Sequence, residues 1–141
     1  MRFELPAGKK LVHEVSVPLR WGDMDALGHI NNTLYFRYME IVRMEWVFKV
    51  GVSTDLSGEG TVIVNALCNF LRQLEYPGDV RVTLFVAEPG RSSFETYHTI
   101  ERTDAPGVVY AEGGARMVWT NFGEEVCAHA GLVSSPSAVM A

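Results

Sequence analysis

A chain of 141 residues is long enough for one domain with a proper core and too short for two. Its 48% hydrophobic and 21% charged residues are the balance of a folded globular protein and do not fit a disordered chain. The net charge of −5, from 17 acidic against 12 basic side chains, speaks against a nucleic-acid binder, which needs a broad basic face to displace counterions.

Taken from the N-terminus, "MRFELPAGKKLVHEV" carries Glu4 where a signal peptide would have its apolar core, so secretion is not expected. Cys68 and Cys127 stand far apart without zinc-like spacing, which suits a reduced, cytoplasmic setting. No apolar run is long enough to span a membrane. Between His13 and Trp21 the residues Val15, Val17, Leu19 and Trp21 alternate as one face of a half-buried strand, with Pro18 marking an edge or a bulge.

The polar stretch "WGDMDALGHINN" follows, and then "LYFRYMEIVRMEWVFKVG", a helix over Leu34 to Gly51 with its core stripe at Tyr35, Met39, Val42, Trp46 and Val50. Further apolar residues, Phe36, Ile41, Met44, Val47 and Phe48, lie between Arg37, Glu40, Arg43, Glu45 and Lys49. One flat sheet face would not cover this helix; it needs to be wrapped. Beyond the loop "STDLSGEG", four strand patterns follow at short spacing: "TVIVNALCNFLR", "DVRVTLFVAE", "SSFETYHTIER" and "GVVYAEGGARMVWT". Turn signals "YPGD", "EPG" and "TDAPG" divide them, Gly113-Gly114 suggests a bulge, and "EVCAHAGLV" offers a short edge strand. One strand, one helix, then four or five strands predict an α+β domain over residues 1–141, with a mostly hairpin-built antiparallel sheet curved round a central helix and frayed tails at 1–10 and 134–141.

The polar stretch sits where chemistry is available. A helix beginning near Asn32 or Thr33 leaves backbone N–H groups free at its positive dipole end, suited to a developing oxyanion. A turn at "DALG" that folds Asp25 back toward that point adds a carboxylate able to attack an acyl carbon or to activate water, with His29 and Asn31 holding the loop or the water. The competing reading is structural: Asp23 or Asp25 bonding its own turn, Asn31 or Asn32 capping the helix, and Gly28 supplying a left-handed turn. The residues alone leave both open. No Gly-x-Ser-x-Gly elbow or phosphate-cradling glycine loop occurs. His13, His29, His98 and His129 are too scattered for a zinc protease, so no metal is expected, although Asp23, Asp25 and His29 could gather on one ion. Glu40 is a second candidate base if buried alone, but pairing with Arg37 or Arg43 at three-residue spacing is the simpler fate.

The run "RWGDMDALGHINNTLYFRYMEIVRMEW" resembles the Asp-x-Asp-x-x-Gly-His-x-Asn-Asn start of hotdog-fold acyl-CoA thioesterases of the 4-hydroxybenzoyl-CoA thioesterase family. The resemblance implies a hotdog fold, a long central helix wrapped by a curved five- or six-stranded antiparallel sheet. It implies hydrolysis of acyl-CoA to a free acid and coenzyme A, with Asp25 as the catalytic carboxylate and the Asn32 backbone N–H polarising the thioester carbonyl. His29 and Asn31 are given supporting roles. "GRSSF", Gly90 to Phe94, resembles the segment that lies along coenzyme A, with Arg91 near phosphate and Ser92 or Ser93 near pantetheine or phosphate oxygens. Coenzyme A is then part of the substrate and no separate cofactor is implied. Family members form dimers or tetramers with sites across subunit boundaries, which implies a homodimer or homotetramer here. An acyl-acyl carrier protein thioesterase, or a non-catalytic subunit that binds acyl thioesters, is the alternative.

Overall fold

The computed structural model describes residues 3–51 and 59–121. Five strands form one antiparallel sheet: β1 (Lys10–Pro18), β2 (Glu59–Phe70), β3 (Asp79–Val86), β4 (Ser93–Arg102) and β5 (Val109–Asn121), in spatial order β1-β3-β4-β5-β2. One helix, α1 (Asn32–Lys49), packs on the sheet. Strands β3, β4 and β5 are the predicted run of hairpins. The first two strands depart from it, because α1 intervenes between them: β1 pairs with β3, and β2 crosses over to pair with β5. Both therefore lie at sheet edges, which is where Pro18 can be tolerated.

Period-two alternation explains the core. Val80, Val82, Leu84 and Val86 of β3, and Phe94, Thr96, His98 and Ile100 of β4, are all buried on the helix side. Against them α1 buries Tyr35, Tyr38, Met39, Val42, Arg43, Trp46 and Val47. Each large apolar side chain so buried contributes roughly 2 kcal/mol. The helix is capped at its start by Asn31, whose Oδ1 accepts from the Thr33 backbone N–H at 2.9 Å and the Thr33 hydroxyl at 2.8 Å. It ends at Gly51, whose φ of 85° is the left-handed stop that glycine permits. At Gly113 of β5 a methyl group would overlap the Met39 sulfur, so this glycine lets α1 approach the sheet.

Several expectations need correction. Trp21 does not continue the first strand's apolar face. It lies in a single 3-10 turn, Trp21–Asp23, and is 73% exposed, because the chain leaves the sheet after Pro18. Val50 is only half-buried, being past the last helical residue. Gly113-Gly114 keeps a regular ladder with His98 and Tyr97; the register slips instead between Ile100 and Glu101, which face Ala111 and Val109 and leave Tyr110 as the extra residue. Phe48 stays exposed, so the sheet covers the core stripe and not the whole cylinder. The strand expected at "EVCAHAGLV", Cys127 and the tail at 134–141 lie outside the described residues, as does most of the "STDLSGEG" loop.

Candidate active site

The polar stretch before α1 closes on itself. The Asp25 N–H donates to the His29 carbonyl at 2.8 Å, the Gly28 N–H donates to the Asp25 carbonyl at 3.0 Å, and Met24 and Ile30 form an antiparallel bridge. Gly28 takes φ of 81°, the left-handed conformation that lets the turn close. Two bonds then fasten the loop: the Asn31 N–H donates to the Asp23 carbonyl at 2.9 Å, and the Ile30 N–H donates to the Leu74 carbonyl at 2.7 Å. Asp23 is a third fastening, since its Oδ2 accepts from the Tyr38 hydroxyl of α1 at 3.1 Å. Burial, and then Asp23, raise the Tyr38 pKa, so the phenol remains a donor.

Asp25 is exposed, and its two oxygens are used unequally. Oδ1 accepts from the Leu27 N–H at 2.9 Å, the turn bond of the structural reading. Oδ2 has no hydrogen-bond donor among the described residues. Asn31 spends its side chain on the cap, while the Asn32 N–H, at the positive end of α1, has no acceptor among the described residues. His29 lies with Nε2 3.5 Å from Glu75 Oε1, a surface pair. The loop therefore holds, within eight residues, one carboxylate oxygen and one helix-start N–H that have no partner among the described residues, fixed by backbone bonds on either side.

A cavity of about 380 Å³ opens beside the first turns of α1, lined by Thr33 and Leu34 near the helix start, Met39 and Arg43 further along, and Ala66 and Ala115 from the sheet. Asp25 and Asn32 are not on its wall; it begins one residue beyond Asn32. Glu40, at its edge, pairs with Arg37 at 3.5 Å, the three-residue partner expected. Among the described residues no group of three or more His, Cys, Asp or Glu side chains could hold a metal ion.

The "GRSSF" segment forms the turn into β4. The Gly90 N–H donates to the Ser93 carbonyl at 2.7 Å, the Trp119 N–H donates to the Ser92 carbonyl at 3.1 Å, and Ser93 Oγ accepts from Arg116 at 3.2 Å. Arg91 is exposed. One chain does not bring this segment to the loop. The helix start packs beside Leu74 and Phe70, and Phe70 lies across β5 at the level of Ile100, whereas Arg91, Ser92 and Ser93 lie where β4 begins, roughly 23 Å from that level at about 3.3 Å per residue.

Two buried polar residues escaped the sequence reading. Arg43, on the covered face of α1, is 5% exposed, and His98, beneath the helix, is fully buried. The signal for Arg43 was present: it falls at helical spacing between Met39, Val42, Trp46 and Val47, on the covered face.

Residues 19–138 match the Thioesterase-like superfamily, and the chain belongs to it. It is a thioester hydrolase with the hotdog fold. Among solved structures it is 37% identical to a Pseudomonas aeruginosa protein proposed to be a thioesterase, with a TM-score of 0.75, covering 79% of this chain and 85% of that one. It is 38% identical to a Xanthomonas campestris protein proposed to be an acyl-CoA thioesterase, with a TM-score of 0.71 and coverage of 78% and 93%. A chloroplastic acyl-acyl carrier protein thioesterase of Arabidopsis thaliana is 32% identical over 77 residues, 51% of this chain and 40% of its own.

Proposed function

We propose that the protein is a cytoplasmic acyl-CoA thioesterase of the 4-hydroxybenzoyl-CoA thioesterase type, acting through Asp25 and the Asn32 backbone N–H. The observation that carries this reading is the pairing, in one fastened loop, of an unbonded carboxylate oxygen with an unbonded N–H at a helix start. The N–H and the helix dipole stabilise negative charge on the thioester oxygen. Asp25, as base, takes a proton from water while the water oxygen attacks the carbonyl carbon. The tetrahedral adduct collapses, the carbon–sulfur bond breaks, and the proton held by Asp25 passes to the departing sulfur, so that coenzyme A leaves as the thiol. With Asp25 as nucleophile the same bond breaks through an acyl-enzyme anhydride that water then hydrolyses. His29 and Asn31 support the loop, and no metal or cofactor enters either route.

The separation of Arg91, Ser92 and Ser93 from Asp25 supports a homodimer as the working unit, alone or within a tetramer. Edge strand β2 exposes Ile63, Val64, Leu67 and Phe70, each by more than 40%. A bare apolar edge of this length invites pairing with another strand. Two-fold antiparallel pairing of β2 with its copy sets the Phe70 end of one strand near the Glu59 end of the other. The Phe70 end adjoins the helix start; the Glu59 end faces Asn121 and, across β5, the Ser93 side. Each Asp25 then meets the partner's coenzyme-binding segment.

Asp25→Asn tests the chemistry. Turnover of all acyl-CoA substrates should fall by at least about a thousandfold with the thermal midpoint unchanged; near-normal turnover refutes the assignment. The Arabidopsis relative favours one second reading, acyl carrier protein as the thioester carrier. Comparing kcat/KM for the same acyl group on coenzyme A and on acyl carrier protein decides between them, and an intact thioester after prolonged incubation identifies a binding subunit instead.

A further inference from the structure

The cavity beside α1 has a buried cation at its wall. Arg43 is 95% buried, and among the described residues its guanidinium has neither a carboxylate within ion-pair distance nor a hydrogen-bond acceptor; Glu40, already paired with Arg37, acts on it only from a distance. Burying a charge in this state is costly unless an anion meets it. The other charged groups on the wall, Arg37 and Glu40, pair with each other, so the lining carries a net charge of +1 from two arginines and one glutamate. His98, buried beside Arg43, adds no negative charge. The rest of the wall is chiefly apolar: Leu34, Phe36, Met39, Ala66 and Ala115.

We propose that this cavity is the acyl pocket and that Arg43 selects an acyl group ending in a carboxylate. The inference rests on the thioesterase reading of the helix start. Eleven helical steps lead from Asn32 to Arg43, about 16 Å along the axis, and the arginine side chain leans back toward the helix start. An acyl chain of medium length therefore reaches from a carbonyl at Asn32 to the guanidinium. Apolar walls suit its methylenes, and the planar guanidinium suits its terminal carboxylate bidentately. A hydrated phosphate of coenzyme A fits these walls poorly.

The test compares mono-coenzyme A thioesters of straight-chain dicarboxylic acids with monocarboxylic thioesters of equal length, in the wild type, Arg43→Met and Arg43→Lys. The wild type should favour the dicarboxylic series by at least about tenfold in kcat/KM, Arg43→Met should reverse the preference, and Arg43→Lys should retain part of it. Calorimetric titration of the wild type with free suberate, octanoate and coenzyme A gives a readout independent of turnover. Suberate alone should depend on Arg43. Suberate binding lost in Arg43→Met, in a protein that hydrolyses nothing, supports the pocket and sinks the Asp25 mechanism. Hydrolysis without preference and without suberate binding sinks the pocket and leaves the mechanism. Equal losses on both series, an Arg43 dependence of coenzyme A binding, or an altered oligomeric state with unchanged selectivity would each overturn the proposal.

Discussion

His98 lies in β4 opposite Leu84 of β3 and Gly113 of β5, sealed beneath α1 with neither ring nitrogen hydrogen-bonded among the described residues. Burial first, and then the nearby Arg43 guanidinium, push its pKa down from 6.5 to about 3. The folded chain thus holds the imidazole neutral while the unfolded chain protonates it below pH 6.5. Stability from this group is complete above pH 6.5 and falls as the pH drops toward 3, by roughly 1.4 kcal/mol per pH unit. Urea unfolding at several pH values should show that slope in the wild type, and His98→Leu should be flatter by one proton; identical slopes would mean that His98 titrates normally. At this scale the sequence was informative about identity and silent about depth. Asp25, Asn31 and Asn32 could be singled out because turn and cap chemistry is local. The burial of Arg43 was signalled only by its helical spacing from Met39, Val42, Trp46 and Val47, and that of His98 by nothing local, because a histidine on a strand is read as exposed until its neighbours are known.

The start of α1 is an element-scale device. Asn31 Oδ1 accepts two bonds from Thr33, and the Asn31 carbonyl accepts from Leu34 at 2.9 Å, so the first turn is fixed and the Asn32 N–H is left over. Asn31→Ala should cost about 1 kcal/mol of stability and, if the Asn32 N–H is the proposed oxyanion donor, lower kcat more than it alters KM, because the fraying helix start misplaces that N–H. Chemical denaturation and steady-state kinetics on the same preparation check both; unchanged kcat would separate the cap from catalysis. Strands β2 to β5 were legible within about two residues and β1 within about three, since alternation along β3 and β4 and the turn signals between them are local patterns. Their order was not. Nothing near β2 announces that it skips to β5, or that Gly113 of β5 serves a helix packed above it and not a bulge.

For the whole molecule, the decisive fact is that one chain holds its candidate carboxylate and its candidate phosphate-binding arginine at opposite ends of the sheet. Under the proposed pairing, a heterodimer of Asp25→Asn and Arg91→Ala protomers contains one doubly damaged site and one intact site. Mixing the two inactive or weakened homodimers under exchange conditions should restore about a quarter of wild-type activity at low coenzyme A ester concentration, counting sites in a symmetric pair. No gain on mixing, with exchange shown by sedimentation or native mass spectrometry, would place both groups in one subunit's site.

The bare apolar border of β2 also bears on how the protein comes to life. Under the proposed pairing, a newly made copy carries an unfinished ribbon and half of each catalytic centre, so total activity should grow with the square of concentration, and activity per molecule in direct proportion to it, when the protein is very dilute. Synthesis below that threshold would yield folded chains that turn nothing over until they meet a twin.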